Sequence, residues 1–182
     1  MLDFLKNMLQ LILAPERGWE DVAAEDTAPD VLIRRRLWPF AALAAISVYM
    51  QLFYHPDLSW VDLTMHAVVF FVSIFVTLHL AIMIIKTYGG KYIMGGTPNP
   101  KKTSTMTAYI LGLLCLIELF CNLLPIHLAL YYLLPLALVL ILWKADKYMS
   151  VKENKDFIFM LFGACTVILP AVAIQELFYL IF

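Results

Sequence analysis

Five long apolar segments, separated by short polar stretches, constrain this chain more than any other feature of its sequence. They cover residues 37–54, 61–85, 106–124, 127–143 and 157–182. A helix of about 20 residues crosses a hydrocarbon layer of about 30 Å. The chain is 63% hydrophobic and 15% charged, and soluble domains are far less apolar. We therefore predict an all-α, polytopic integral membrane protein, built as a bundle of five transmembrane helices.

The 13 basic residues orient the predicted helices. All of them lie before the first segment, between the second and third, or between the fourth and fifth. The turns at 55–60 and 125–126 and the C-terminal end carry none. Because lysine and arginine accumulate on the cytoplasmic side of a membrane, we predict a cytoplasmic N-terminus and an external C-terminus. The expected location is the cytoplasmic (inner) membrane of a bacterium.

The charge pattern divides the chain into a cytoplasmic region, residues 1–36, and a membrane domain, residues 37–182. Residues 1–13 place apolar side chains at helical spacing: Leu2, Leu5, Leu9 and Ile12. Such a pattern favours an amphipathic helix that lies in the headgroup plane. An acidic connector follows, which we predict to be a solvated face.

Two features of the cytoplasmic region predict contact with the membrane surface. Trp19 is expected to be an interface anchor, because its ring is amphipathic and its N–H can stay in water. The Arg34, Arg35 and Arg36 triplet directly precedes a predicted span, where arginines set topology and contact anionic lipid rather than nucleic acid.

Polar side chains inside the predicted spans form the candidate site. Glu118 lies in the third span, and a carboxylate in hydrocarbon costs about 2.5–3.5 kcal/mol or more, so it must face protein, water or an ion. At 1.5 Å rise per residue, His66 and Glu176 reach nearly the same depth on other helices. Asp62 and Asn122 lie one helical turn from His66 and Glu118.

These residues support two interpretations. In the first, His66, Glu118 and Glu176 hydrogen-bond with one another and with Asn122, and so hold the bundle together. In the second, a cavity open to the outside lets the same groups bind a divalent cation or relay protons. One histidine with two carboxylates can bind zinc or manganese. No other cofactor is predicted.

The sequence contains no motif for hydrolytic chemistry or nucleotide binding. Its serines have no G-x-S-x-G setting, and no H-E-x-x-H motif occurs. The loop at residues 86–105 contains two Gly-Gly pairs but no phosphate-binding loop pattern, and its role stays open. We therefore predict that the protein is not an enzyme.

Several motifs resemble the Yip (Ypt-interacting protein) domain family over nearly the whole chain. The opening Leu13-Ala14-Pro15, followed by Trp19-Glu20-Asp21-Val22, is similar to the family's P-x-x-x-W/F-x-x-I start. The Gly-Gly pairs before the third span, Tyr109, and Leu124-Pro125 at the end of that span match as well. The chain lacks the D-L-Y-G-P motif of eukaryotic members, so it resembles a short prokaryotic-type member.

Eukaryotic members of the family are associated with Rab GTPases and vesicle traffic. The resemblance thus implies a non-enzymatic membrane protein that organises or scaffolds the bilayer or membrane-protein partners. The alternative is a small ion or proton transporter, or a metal-binding membrane protein, that uses the His66 and Glu118 cluster. The lipid bilayer is the expected partner, with membrane or cytoplasmic proteins as further candidates. Neither a specific protein partner nor an oligomeric state follows from the sequence.

Overall fold

The protein is described by a computed structural model that covers residues 2–89, 93–94, 96–124 and 128–181, with the side chains of all but 128–135, 179 and 181. The described residues are helical nearly throughout, which confirms the all-α prediction, and their one β pairing is a bridge between Met94 and Val151. The predicted turn at 125–126 and the first residue of the fourth predicted span, at 127, lie outside the described residues, as do parts of the Gly-Gly loop.

The chain begins with a helical hairpin, α1 (Leu2–Leu13) and α2 (Pro15–Glu25). Pro15 opens α2, where its fixed φ suits a helix and its missing N–H costs nothing. Gly18 brings the two helices together, because a Cβ at this position would lie 2.8 Å from the backbone Cα of Leu11. The hairpin therefore depends on a glycine at its point of closest approach.

Four of the described helices are long and apolar enough to cross a membrane. They are α3 (Pro29–Phe53), α4 (Trp60–Gly89), α5 (Pro100–Leu123) and α8, which begins at Asp156 and ends at Ile181 and is long and apolar enough over Asp156–Phe178. Two shorter helices, α6 (Leu128–Trp143) and α7 (Asp146–Met149), lie between α5 and α8 along the chain. The fourth predicted span corresponds to α6, which has 16 residues and is therefore about 24 Å long. Five spans thus stay a prediction.

Two of these helices begin well before the apolar segments that predicted them. The helix α3 begins at Pro29 and runs through the arginine triplet without a break, so the end of the predicted cytoplasmic region and the first predicted span share a helix. Similarly, α5 begins at Pro100, where the Asn99 side chain accepts a hydrogen bond from the backbone N–H of Lys101 at 2.9 Å. Helices begin at caps and prolines rather than where hydrophobicity begins.

Two membrane-length helices contain a π-helical turn just before a proline. Residues Ile33–Leu37 precede Pro39, and Ala164–Ile168 precede Pro170. A proline within a helix cannot donate to the carbonyl four residues earlier and its ring crowds that carbonyl, so the turn widens instead of breaking.

The central helix of the bundle is α5, which is more buried than the other membrane-length helices. The hairpin packs against α5 at the end of the bundle that carries Arg36, Lys101, Lys102 and Lys144, which we call the basic end. At the opposite end, the Tyr54 hydroxyl donates to the Leu123 carbonyl at 3.0 Å. A polar cluster lies near each end.

Candidate functional site

The first polar cluster joins α3 to α5 near the end opposite the basic end. We call it the α3–α5 cluster; its members are Ser47, Gln51, Glu118 and Asn122. Asn122 is buried and donates to the Ser47 hydroxyl at 3.0 Å and to the Glu118 carboxylate at 3.2 Å. Its carbonyl oxygen accepts from the Gln51 amide at 2.6 Å. Both amide hydrogens and the carbonyl of Asn122 are thus in use, so Asn122 is the centre of the cluster.

The other predicted site residues lie on α4 and α8. Asp62 forms a capping box with Ser59, whose hydroxyl donates to the Asp62 carboxylate at 2.7 Å. His66 and Asp62 line an open groove of about 900 Å³ that Phe178 also contacts. Asp62 therefore has a structural role at the start of α4, whereas His66 faces the groove.

Glu176 is exposed, and its neighbour Gln175 is buried. The Gln175 amide donates to the Ser73 hydroxyl on α4 at 3.2 Å and to the Ala171 carbonyl at 3.1 Å. Of these two neighbours, Gln175 is the one that hydrogen-bonds to α4, and an amide needs no counter-charge when it is buried.

Among the described residues, no three His, Cys, Asp or Glu side chains are grouped so that they could hold a metal ion. The structure brings Glu118 together with Asn122 but does not gather His66, Glu118 and Glu176 into one coordination sphere. Metal or proton binding by these residues stays a prediction.

The second polar cluster, which no pattern in the sequence had predicted, joins the hairpin to α3 and α5 at the basic end. We call it the hairpin network; its members are Asn7, Glu25, Thr27, Arg36 and Tyr109. Glu25 forms an ion pair with Arg36, and both side chains are largely buried, with exposures of 23% and 16%. The Asn7 amide donates to Glu25 at 2.6 Å and to the Tyr109 hydroxyl at 3.1 Å. The Tyr109 hydroxyl and the Thr27 hydroxyl also donate to Glu25, at 3.3 and 2.8 Å.

The hairpin network holds Glu25 in its ionised form. Burial raises the pKa of this carboxyl, but hydrogen bonds from Arg36 and Thr27 and the charge of Arg36 outweigh burial and lower the pKa below its ordinary value. One signal in the sequence could have revealed the network: Asn7 interrupts a helical face whose other members, Phe4, Met8 and Leu11, are apolar and fully buried.

The structure corrects the placement predicted for Trp19. Its ring is only 2% exposed and stacks on Tyr148 with ring centroids 5.3 Å apart. Its N–H donates to the backbone carbonyl of Ile141 on α6 at 2.9 Å rather than to water. Trp19 therefore anchors α2 to the bundle, because the indole finds both a stacking partner and an acceptor there.

In both the arginine triplet and the acidic connector, some residues are exposed and others form contacts within the protein. Arg34 and Arg35 are exposed, whereas Arg36 belongs to the hairpin network. The connector, predicted as a solvated face, supplies Glu25 to that network and also pairs Asp26 with Lys101. Only the exposed part of each charged segment is free to meet lipid or water.

No family model, curated protein or solved structure matches this chain in comparisons with known proteins. The resemblance to the Yip family therefore rests on sequence motifs: the Pro15 and Trp19 opening, the Gly-Gly pairs, Tyr109 and Leu124-Pro125.

Proposed function

We propose that the protein is a non-enzymatic integral membrane protein of the short Yip type, which organises the bilayer around its basic end. The observation that carries this proposal is the exposed apolar face of α1. The resemblance points in the same direction, because it implies a role in membrane organisation.

The helix α1 has three faces rather than two. Its buried face contacts the bundle, and Phe4 lies so close to Gly112 of α5 that a Cβ there would be 2.7 Å from the ring. A polar edge carries Asp3, Lys6 and Gln10. The remaining face is apolar and exposed, and consists of Leu2, Leu9, Ile12 and Leu13. A helix with a docked face, a polar edge and a lipid-facing side suits the boundary between headgroups and acyl chains.

Such a helix occupies area in one leaflet only, so it favours membranes in which that leaflet is expanded. The exposed Arg34 and Arg35 lie at the same end and add attraction to anionic lipid. In this proposal the N-terminus is cytoplasmic, the membrane is the bacterial inner membrane, and α6 spans the bilayer as the fourth of five spans. A helix of about 24 Å can span by local thinning of the bilayer.

The function is tested by reconstituting the protein into vesicles of mixed diameter and measuring its enrichment on small ones. We expect the double substitution Leu9→Gln, Ile12→Gln to lower that enrichment roughly threefold, because it removes exposed apolar area from α1. The matched control, Leu9→Met with Ile12→Leu, keeps the face apolar and should behave as the original protein. Equal enrichment of all three proteins would refute the proposal.

The topology has a separate test by cysteine labelling, in a chain whose own cysteines are replaced by alanine. Asp57 and Glu153 are exposed at opposite ends of the bundle. We expect a membrane-impermeant maleimide to label Asp57→Cys on intact cells, and Glu153→Cys only after permeabilisation. The reverse pattern would invert the proposed orientation. Labelling of both positions from outside would rule out an odd number of spans between them, and with it the proposed five-span topology.

One observation favours the alternative, an ion or proton site. Glu118 lies in a membrane-length helix, and within the described part of the chain it accepts one hydrogen bond, from Asn122. A carboxylate with so few donors has room for a proton or a cation. The variant that separates this function from the first is Glu118→Gln, which would abolish metal binding at such a site but leave membrane organisation by α1 unchanged.

A further inference from the structure

A pocket between α2 and the basic end has walls of opposite charge. We call it the α2 pocket; it measures about 250 Å³. Its acidic wall is Glu16 and Glu20 of α2, and its basic wall is Lys102, Lys144 and Lys147. Trp19 and Tyr148, stacked on each other, also line it. We propose that the α2 pocket binds a zwitterionic phospholipid headgroup, with its phosphate at the lysines and its ammonium at the glutamates.

The charge pattern selects this ligand class over simpler ions. The lining carries two carboxylates and three ammonium groups, so a bare anion or a bare cation would meet like charges in the same pocket. A group that carries both charges a few bonds apart satisfies both walls. The volume is that of roughly eight water molecules, which suits a phosphoethanolamine group.

The aromatic side of the pocket positions a lysine of the basic wall. Trp19 stacks on the Tyr148 ring, and the Lys102 ammonium lies over the same ring, 5.4 Å from its centroid, so Tyr148 holds Lys102 in place at the basic wall. Burial raises the pKa of Tyr148 to about 12, so its phenol stays neutral at physiological pH.

The two walls are held together loosely enough for a ligand to enter. Glu16 and Lys144 form an ion pair of 2.8 Å between them, with side-chain exposures of 58% and 47%. Exposed pairs of this kind contribute little to stability, because water and salt screen both charges. A phosphate can therefore replace Glu16 at Lys144 without a large loss of stability.

The surroundings of the pocket fit a membrane lipid. Lys102 and Lys144 lie at the ends of α5 and α6, the level at which headgroups meet helix termini. Leu140, one turn before Lys144, is 58% exposed, and Leu13, three residues before Glu16, is 80% exposed. Exposed apolar surface on which acyl chains can lie is thus close in sequence to both walls. Lipid binding here rests on the membrane placement in the proposed function but not on the role of α1.

The test is lipid retention, measured by mass spectrometry after purification from vesicles of equal parts phosphatidylethanolamine, phosphatidylcholine and phosphatidylglycerol. We expect phosphatidylethanolamine to be retained over phosphatidylglycerol, and Glu20→Gln to lower that preference roughly three- to fivefold. Lys147→Gln should reduce retention of both lipids. The controls are Glu153→Gln and Lys152→Gln, which are exposed at the same end but do not line the pocket.

A second measurement needs no variant: soluble phosphoethanolamine is added to lipid-free protein in detergent, and thermal unfolding is followed. Stabilisation by this compound but not by inorganic phosphate or ethanolamine supports the same ligand chemistry from a soluble source. Equal retention of all three lipids by the original protein, or stronger retention of phosphatidylglycerol, overturns the proposal. Because Leu9→Gln, Ile12→Gln leaves the pocket intact, failure of the α1 test and failure of lipid retention are distinguishable.

Discussion

Two glutamates lie in the polar clusters at the two ends of the bundle, and their surroundings are opposite. Glu25 has an arginine partner and three further donors in the hairpin network. Glu118 accepts one hydrogen bond from Asn122, and no lysine or arginine pairs with it in the part of the chain that the structure describes. Both belong to contacts between helices, yet only Glu25 has its charge compensated.

The difference separates two uses of a carboxylate in a membrane protein. A buried ion pair with its remaining lone pairs satisfied fixes one arrangement of its neighbours, and breaking it leaves an uncompensated charge. Glu25 thus fixes the position of the hairpin relative to the bundle. A carboxylate without a paired cation fixes its neighbouring helices only weakly. It can gain or lose a proton or a counter-ion while the helices stay where they are.

The largest effect is expected from Arg36→Met, which leaves Glu25 without its counter-charge. We expect a loss of about 2–4 kcal/mol in the free energy of unfolding, since the pair is largely but not fully buried. The measurement is unfolding of the purified protein in detergent. Arg35→Met, at the exposed neighbouring position, is the control and should cost far less.

The double variant Glu25→Gln, Arg36→Met removes both charges and should recover much of that loss, because the remaining amide can still accept from Asn7. If Arg36→Met and Arg35→Met were equally stable, Glu25 would not be held by its ion pair, and the contrast with Glu118 would disappear.

A somewhat smaller effect is expected from Gly18→Ala at the contact between α1 and α2. The new Cβ would lie 2.8 Å from the backbone N and Cα of Leu11, so the helices must separate, at a cost of about 1–3 kcal/mol. Hydrogen exchange should then rise in α1 and α2 and stay unchanged in α4. The control is Gly96→Ala, where an added Cβ meets no atom within 4 Å; an equal response of both variants would show that the hairpin is loosely packed.

The helices could be predicted from the sequence, and their ends could not. Apolar length alone predicted the helical segments, because a chain in hydrocarbon must satisfy its backbone internally. Residues 100–105 are polar, yet they continue α5, because backbone hydrogen bonding extends a helix until a cap or a proline stops it. The helix α6 has 16 residues, fewer than any of the four membrane-length helices, and it ends at Trp143, as the apolar segment at 127–143 does.

The sequence predicted the contact of Glu118 with Asn122 but not the hairpin network. Residues one turn apart on a helix must be neighbours, so the contact of Glu118 with Asn122 followed from their spacing. To predict the hairpin network, one would have to know which of the two apolar faces of α1 is buried. The face predicted to meet lipid contains Leu2 and Leu9, which the structure leaves exposed, whereas a second face, which contains Phe4 and Asn7, is buried. Packing against Gly112, distant in sequence, decides between them.

Acid should weaken the hairpin network more than the α3–α5 cluster. Because the folded pKa of Glu25 is lowered, its stabilising effect is fully present above the ordinary glutamate pKa of about 4.3. That effect is lost as the pH falls through the lower, folded value. We expect the stability difference between the original protein and Glu25→Gln to shrink over this range, in unfolding measured from pH 6 to pH 3. A constant difference would mean that Glu25 is not ionised in the folded protein.

The smallest effect on stability is expected from Glu118→Gln, in the α3–α5 cluster. The new amide oxygen can still accept from Asn122, so the free energy of unfolding should change by less than about 1 kcal/mol. Zinc and manganese should stabilise neither protein, and elemental analysis should find no bound metal in either. Glu118→Asp, which keeps the charge but shortens the side chain, is the matched control. Metal bound to the original protein and lost in Glu118→Gln, but kept in Glu118→Asp, would instead establish the ion site. Glu118 would then lack a cation among its protein neighbours because a metal ion supplies the positive charge that Arg36 supplies to Glu25.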